Sequence, residues 1–260
     1  MNESIQLKIE NKVAYITLNR PEVFNSFNRE MAFLLHNTLD ACEKNDEVRA
    51  IVLTGNGKAF CAGQDLKEVT DPDLNPGFKK ILDEHYNPII TRIRSIKKPI
   101  IGAINGVAAG AGANIALACD VVVAHEKVSF IQAFSLIGLV PDSAGTFFLP
   151  RLIGFQKALA LAMLGDKIGA EEAEKMGMIY KCVPTEEFEE TINKLAIKLA
   201  NMPTKALGMI KELFNKSMTN DLEGQLALES KLQIEAAQSE DYKEGVTAFI
   251  EKRQPNFKGN

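Results

Sequence analysis

The stretch GVAAGAGANIALACD, residues 106–120, decides how this chain is read. Its first half is almost entirely Gly and Ala, and it follows at once on the apolar run KPIIGAI (98–104). A short apolar run bounded by Pro, then small residues, then an apolar helical pattern reads as strand, tight turn, helix. A helix opening on Gly110-Ala111-Gly112 presents unpaired N–H groups at its positive end. Such an end suits a developing oxyanion or a phosphate. Small residues also permit close helix–sheet packing, and both readings stand. A dinucleotide fingerprint is a poor match: Ile115 occupies its third glycine position, and Asp120 is too near to be its ribose-binding acid.

Outward from this stretch the same grammar repeats. RAIVLTG (49–55) and VVVAH (121–125) are further apolar runs that read, with 98–104, as strands buried on both faces. KVAYITLNR (12–20) alternates, with Val13, Tyr15 and Thr17 on one face. Residues 29–45 carry Met31, Leu34, Leu35, Leu39 and Cys42 on one helical stripe, with Asn28 placed to cap it, and 78–96 is also helical. Alternating strand and helix predicts a parallel sheet with right-handed crossovers. After about residue 190 the pattern is helical only. Phe188, Ile192, Leu195, Ala196 and Leu199 form one stripe, Pro203 is placed as the first residue of the next helix, and two more helical stretches follow. The reading is therefore an α/β core over 1–190 and a helical region over 191–260. The apolar face of that region must be covered by its own core or by a partner subunit.

The 260 residues are 46% hydrophobic and 25% charged, which suits a globular enzyme with a sizeable core. A net charge of -4 gives no basic footprint for nucleic acid. No apolar run reaches the roughly 18 residues of a membrane span, and the opening MNESIQLKIENK has no secretory pattern, so neither a membrane partner nor export is expected. Cys42, Cys61, Cys119 and Cys182 form no C-x-x-C pair and read as reduced thiols of a cytoplasmic protein. His36, His85 and His125 are dispersed, so no metal site is expected.

Two further segments carry chemistry. In AFCAGQDL (59–66) small residues flank Gln64, letting a ligand approach backbone N–H groups; the plainer reading of these residues is a turn with Asp65 capping a helix that begins at Leu66. In SFIQAFSLIGLVPDSAGTFFLPRLIG (129–154), Asp142 follows Phe130, Phe134, Leu136, Ile137, Leu139 and Val140. A carboxylate in apolar surroundings has a raised pKa and can shuttle a proton. The competing reading is that Asp142 caps a helix over 143–152.

These segments, in this order, resemble the crotonase (enoyl-CoA hydratase/isomerase) superfamily. The match runs from ITLNRPEVFNSFN through FCAGQDL, GVAAGAGANIALACD and GLVPDSAGT to FIEKRQPNFKG, essentially the whole chain. The resemblance implies a spiral of ββα units with a C-terminal helical trimerisation region, assembled as a homotrimer or a dimer of trimers. It implies an acyl-CoA thioester as ligand, with coenzyme A entering as part of the substrate and no other cofactor. It places the oxyanion hole at the N–H groups of Gln64 and Ala111. It places substrate contacts at Val23, Phe24, Ala62, Gly63, Asp65, Leu66, Gly110, Phe134, Leu139, Pro141 and Phe249, and Lys252 on a CoA phosphate, where a solvated surface lysine is the alternative. Enoyl-CoA hydratases carry two glutamates; the matching positions here are Asn114 and Phe134. Asp142 matches an acidic position used by isomerase branches. SFIQAF, IGLVPDS and the FLPRL segment are similar to the 1,2-epoxyphenylacetyl-CoA isomerase branch of phenylacetate degradation, with Ala144 where that branch has Gly. The dehalogenase branch needs a tryptophan, and this chain has none. The expected activity is thus isomerisation through a thioester enolate, with Asp142 catalytic. The alternatives are a hydratase-type lyase of fatty-acid breakdown and an acyl-CoA-binding protein with little turnover.

Overall fold

The computed structural model describes residues 3–260. Its first two strands, β1 (Ile5–Glu10) and β2 (Val13–Leu18), form an antiparallel hairpin. Asn11 and Lys12 both take left-handed backbone angles at its tip, the geometry that matches strand twist. The sequence reading had no strand before residue 12. β1 escapes it because only Ile5 is buried while Leu7 and Ile9 stay exposed, as befits an edge strand.

From β2 onward the sheet is parallel, in the order β1-β2-β3-β5-β7-β10, with β3 at Ala50–Gly55, β5 at Ile100–Ile104, β7 at Val121–His125 and β10 at Lys181–Val183. A second sheet of four short strands has the order β4 (Ala59–Cys61), β6 (Val107–Ala109), β8 (Ser129–Ile131) and β9 (Lys167–Gly169). Successive passes of the chain lay a long strand in the first sheet, a short strand in the second, and then one or more helices. The result is the expected spiral of ββα units. The passes press together tightly: a Cβ on Gly112 would lie 2.2 Å from the Cys61 carbonyl oxygen, so the helix after β6 can sit against β4 only with glycine there.

The helices of the core are α1 (Arg29–Lys44), α2 (Leu66–Thr70), α3 (Phe78–Lys80), α4 (Asn87–Ser95), α5 (Ala111–Ala118), α6 (Gly145–Ile153), α7 (Phe155–Leu164) and α8 (Ala170–Lys175). A π-turn at Ile81–Tyr86 joins α3 to α4. Asn28 caps α1 by accepting from the Met31 N–H at 3.0 Å. α5 is buried on every side, as a sequence apolar but for Asn114 requires.

α9 (Phe188–Ala200) answers part of the question about the helical region. Phe188, Ile192, Ala196 and Ala200 pack on Val13, Ala50, Val52, Ile101, Ala103 and Val123, so this helix covers the chain's own six-stranded sheet. The boundary read at 190/191 therefore falls inside a helix of the core. Pro203 sits one residue earlier in its helix than expected, at the cap, and α10 runs Thr204–Ser217. α11 (Leu222–Ala237) packs on α10, and α12 (Glu240–Glu251) on α11. The C-terminal residues return to the core: Arg49 donates to the carbonyls of Met202 and Phe257 and to Thr204 Oγ1, while Asp241 accepts from the N–H groups of Lys258 and Gly259. No helix among the described residues is long and apolar enough to cross a membrane.

Candidate active site

The loop after β4 and the turn after β6 lie side by side because their strands are neighbours. Residues 24–27 are sewn along the first loop. Ala62 N–H donates to the Phe24 carbonyl at 3.0 Å, Phe27 N–H to the Gly63 carbonyl at 2.7 Å, and Asp65 N–H to the Phe27 carbonyl at 2.8 Å. Gly63 and Asp65 thus face Phe27, and extended-chain alternation turns the Gln64 N–H the other way. Val23 and Phe24 arrive beside this loop, Phe24 in a left-handed conformation and half exposed.

Gly110 makes the second turn. Its N–H donates to the Ile131 carbonyl at 2.9 Å, and its φ of 54° with ψ of -127° is a conformation essentially reserved for glycine. Ala111 follows as the first residue of α5, where an N–H has no intrahelical acceptor. The two loops touch: a Cβ on Gly63 would lie 3.5 Å from the Ala111 nitrogen. Among the described residues neither the Gln64 nor the Ala111 N–H has a hydrogen-bond acceptor in the protein. These are the two N–H groups that the resemblance names for the oxyanion, and they stand on adjacent loops.

Phe134 is buried beside this turn; its ring edge would lie 3.7 Å from a Cβ on Gly110. It starts the short helical turn that leads through Leu139 and Pro141 to Asp142. The Asp142 side chain accepts from Ser143 Oγ at 2.9 Å and has no cationic partner among the described residues. Burial pushes its carboxyl above the ordinary range, with the Ser143 hydrogen bond opposing. It does not cap α6. Ser143 and Ala144 both take left-handed angles, so the helix starts only at Gly145, and no side chain caps it. The expected helix over 143–152 is corrected accordingly.

The loop is held from beneath. Asn114, fully buried on α5, donates from Nδ2 to the Asp142 carbonyl at 2.9 Å and accepts at Oδ1 from Gln132 Nε2 at 2.8 Å. The carbonyl can only accept, which fixes the orientation of both amides. At one position where the resemblance implies a hydratase glutamate, this chain has a structural clamp. At the other it has the Phe134 ring.

Asp65 is a cap and an anchor. One oxygen accepts from the Lys67 N–H at 2.9 Å, the other pairs with Arg20 at 2.8 Å, and Arg20 also holds the Ser26 carbonyl. Each of its two oxygens thus holds a partner within the protein. Ala62, Gly63 and Leu66 flank the site, with Leu66 exposed. Phe249 and Lys252 stand apart in the single protomer: α12 packs chiefly on α11, Phe249 is 86% exposed, and Lys252 ends the helix in a left-handed conformation. Sequence reasoning passed over Arg20, Glu68, Tyr86 and Gln132. Tyr86 carried one signal, a hydroxyl on the otherwise apolar stripe it shares with Ile89, Ile90 and Ile93.

The spiral of ββα units is the fold of a class of acyl-thioester enzymes, and comparison with known proteins agrees. The Enoyl-CoA hydratase/isomerase family model matches residues 8–260. The chain is 45% identical to the 1,2-epoxyphenylacetyl-CoA isomerase of Escherichia coli K12, over 100% of both chains. It is 46% identical to the probable enoyl-CoA hydratase of Rhodobacter capsulatus, over 98% of each. The crystal structure of an enoyl-CoA hydratase from Bacillus anthracis superposes with a TM-score of 0.91 at 33% identity, covering 99% of this chain and 100% of that one. This chain belongs to the enoyl-CoA hydratase/isomerase family.

Proposed function

We propose that this protein is a CoA-thioester isomerase that works through an enolate. The observation that carries the reading is the half-buried Asp142 carboxyl, without a cationic partner among the described residues, in a site whose two hydratase positions are Asn114 and Phe134. The thioester carbonyl accepts from the Gln64 and Ala111 N–H groups. The Asp142 carboxylate takes a proton from the acyl chain, leaving an enolate whose negative oxygen the two donors stabilise. Asp142 then returns the proton to a different carbon. One base suffices because no water is gained or lost. The Phe134 ring narrows the approach of water to the enolate.

The substrate is an acyl group whose enolate can rearrange, with 1,2-epoxyphenylacetyl-CoA first and a 3-enoyl-CoA second. The likeness to the Escherichia coli isomerase supports that order. Coenzyme A enters with the substrate, and the steps above require no other cofactor. We also infer a homo-oligomer, a trimer or a dimer of trimers, in a cytoplasmic setting. The large apolar side chains left exposed on α10 to α12, among them Phe214, Leu222, Ile234, Phe249 and Ile250, support assembly. In that assembly Lys252 meets a CoA phosphate of a neighbouring subunit.

A second reading, hydration, is favoured by the likeness to the probable enoyl-CoA hydratase of Rhodobacter capsulatus. The test is to offer crotonyl-CoA, a 3-enoyl-CoA and epoxyphenylacetyl-CoA separately and follow products by chromatography. Isomerisation without hydration is the expected result. Rapid hydration of crotonyl-CoA overturns the proposal, and tight binding without turnover of any of the three replaces it with an acyl-CoA-binding role.

A further inference from the structure

Gln64 is held by its side chain as well as its backbone. Its Oε1 accepts from the Tyr86 hydroxyl at 3.0 Å, and its Nε2 donates to Glu68 Oε2 at 2.6 Å. The other Glu68 oxygen accepts from the N–H of Arg29, the first residue of α1, at 2.7 Å. Glu68 and Tyr86 are both buried. The Tyr86 ring packs edge-on against Phe27 at 6.0 Å, and Phe27 is the residue that holds Gly63 and Asp65 on either side of Gln64. Tyr86 ends the π-turn, an irregularity that shifts the facing of every residue after it by adding one residue to a turn.

The chain of hydrogen bonds runs in one direction only. Arg29 N–H can only donate, so Glu68 accepts from it. Glu68 is acceptor-only, so Gln64 turns its Nε2 toward it and its Oε1 toward Tyr86, which must then donate. Burial, with the nearby Cys61, Asp142, Glu68 and Asp65, keeps the Tyr86 hydroxyl protonated. Its proton is committed to Gln64 and is not offered to a ligand. A buried carboxylate whose direct partners among the described residues are only N–H groups is costly to keep, and one of those partners is Gln64, whose own N–H is one of the two that the oxyanion-hole reading uses.

We propose that Tyr86 and Glu68 are positioning residues that lock the Gln64 side chain and so aim the Gln64 N–H at the thioester oxygen. The inference rests on the oxyanion-hole reading above. Removing one oxyanion donor outright costs about 10²–10³ in rate. Loosening its aim through Tyr86→Phe is expected to cost about 10- to 100-fold, with thioester affinity held within about threefold, because the interaction matters most when charge develops. Glu68→Leu is expected to do the same from the other end. Glu68→Gln is expected to retain most of the rate. A glutamine at 68 can donate to Gln64 Oε1, Gln64 Nε2 can then donate to the Tyr86 oxygen, and the clamp is kept with its polarity reversed.

The experiment reads two signals. One is infrared difference spectroscopy of benzoyl-CoA labelled with ¹³C at the carbonyl and bound to each protein. The other is exchange of the C2 protons of phenylacetyl-CoA into deuterium oxide, followed by NMR. Wild-type protein is expected to lower the carbonyl frequency; Tyr86→Phe and Glu68→Leu are expected to lose much of that shift and the exchange rate together, while Glu68→Gln keeps both. A full wild-type shift retained in Tyr86→Phe and Glu68→Leu overturns the positioning role and leaves the oxyanion hole standing. No shift in the wild-type protein overturns the oxyanion hole itself. The two variants reach Gln64 from opposite sides, so loss of fold in one leaves the other to decide.

Discussion

Replacing Asp142 by Asn separates catalysis from stability. The carboxyl makes one side-chain hydrogen bond, to Ser143 Oγ, which an isosteric amide oxygen can accept equally. No ion pair among the described residues is lost. Burial raises the folded-state pKa above that of an ordinary carboxyl. For a carboxyl raised on folding, the cost of holding the charged form is absent below the unfolded pKa and grows as pH rises through the folded one. Asn carries no such charge, so the variant is expected to melt at or above the wild-type temperature near neutral pH, with the difference vanishing in acid. Activity moves the opposite way. A positioned base is worth about 10²–10⁴. The buried carboxylates nearby are poor substitutes: Asp65 is held by Arg20 and the Lys67 N–H, and Glu68 by Gln64 and the Arg29 N–H. The upper part of the range therefore applies, a loss of about 10³–10⁴, or about 4–5.5 kcal/mol of barrier. The assay is deuterium exchange at C2 of phenylacetyl-CoA beside a thermal melt of the same samples. A variant retaining more than about a tenth of the wild-type exchange would refute the assignment of the base, since that residue is credited with at least about a hundredfold. A variant with unchanged activity and a lowered melting temperature would make Asp142 structural.

Three other outcomes are expected. The acid limb of the wild-type exchange rate should lie above the pKa of an ordinary carboxyl, because Asp142 must be ionised to accept a proton; a pH–rate profile checks it. Asn114→Leu should destabilise by about 2–4 kcal/mol in a denaturant titration, since it strands the buried Gln132 Nε2 and unties the Asp142 carbonyl from α5. Gly110→Ala has room for its methyl group, 3.7 Å from the Phe134 ring, yet should destabilise by on the order of 1–3 kcal/mol through backbone strain and slow exchange by misaiming the Ala111 N–H.

The structure also bears on restoring hydration by placing glutamates at 114 and 134. A Cβ on Gly145 would lie 2.3 Å from Asn114 Nδ2, so the amide already fills its space against α6. A longer, charged side chain there would lose the clamp on the Asp142 loop and bury a carboxylate in its place, so gain of hydration would be accompanied by loss of stability.

What the sequence determined by itself was local. The Gly110-Ala111-Gly112 turn, the Asn28 cap, the Asp65 cap and the long buried strands depend on residues within a turn or two of each other, and their backbone consequences are written in residue type. The short strands β4, β6, β8 and β9 were not legible, because three residues show no period and exist only by pairing with distant neighbours. The role of Asp142 stayed open for the same kind of reason. A Pro-Asp turn before a helix looks like a cap, and only the left-handed angles at Ser143 and Ala144, held with the Asn114 clamp from 28 residues away, turn the carboxyl away from the helix end. The links from Tyr86 to Gln64 and from Glu68 to Arg29 likewise span 22 and 39 residues. Which donor meets which acceptor across such distances depends on how helices pack, and on one extra residue in the π-turn. Tertiary structure decided those contacts because a buried hydrogen bond needs its partner within about 3 Å, a tolerance that sequence spacing specifies only inside a single element.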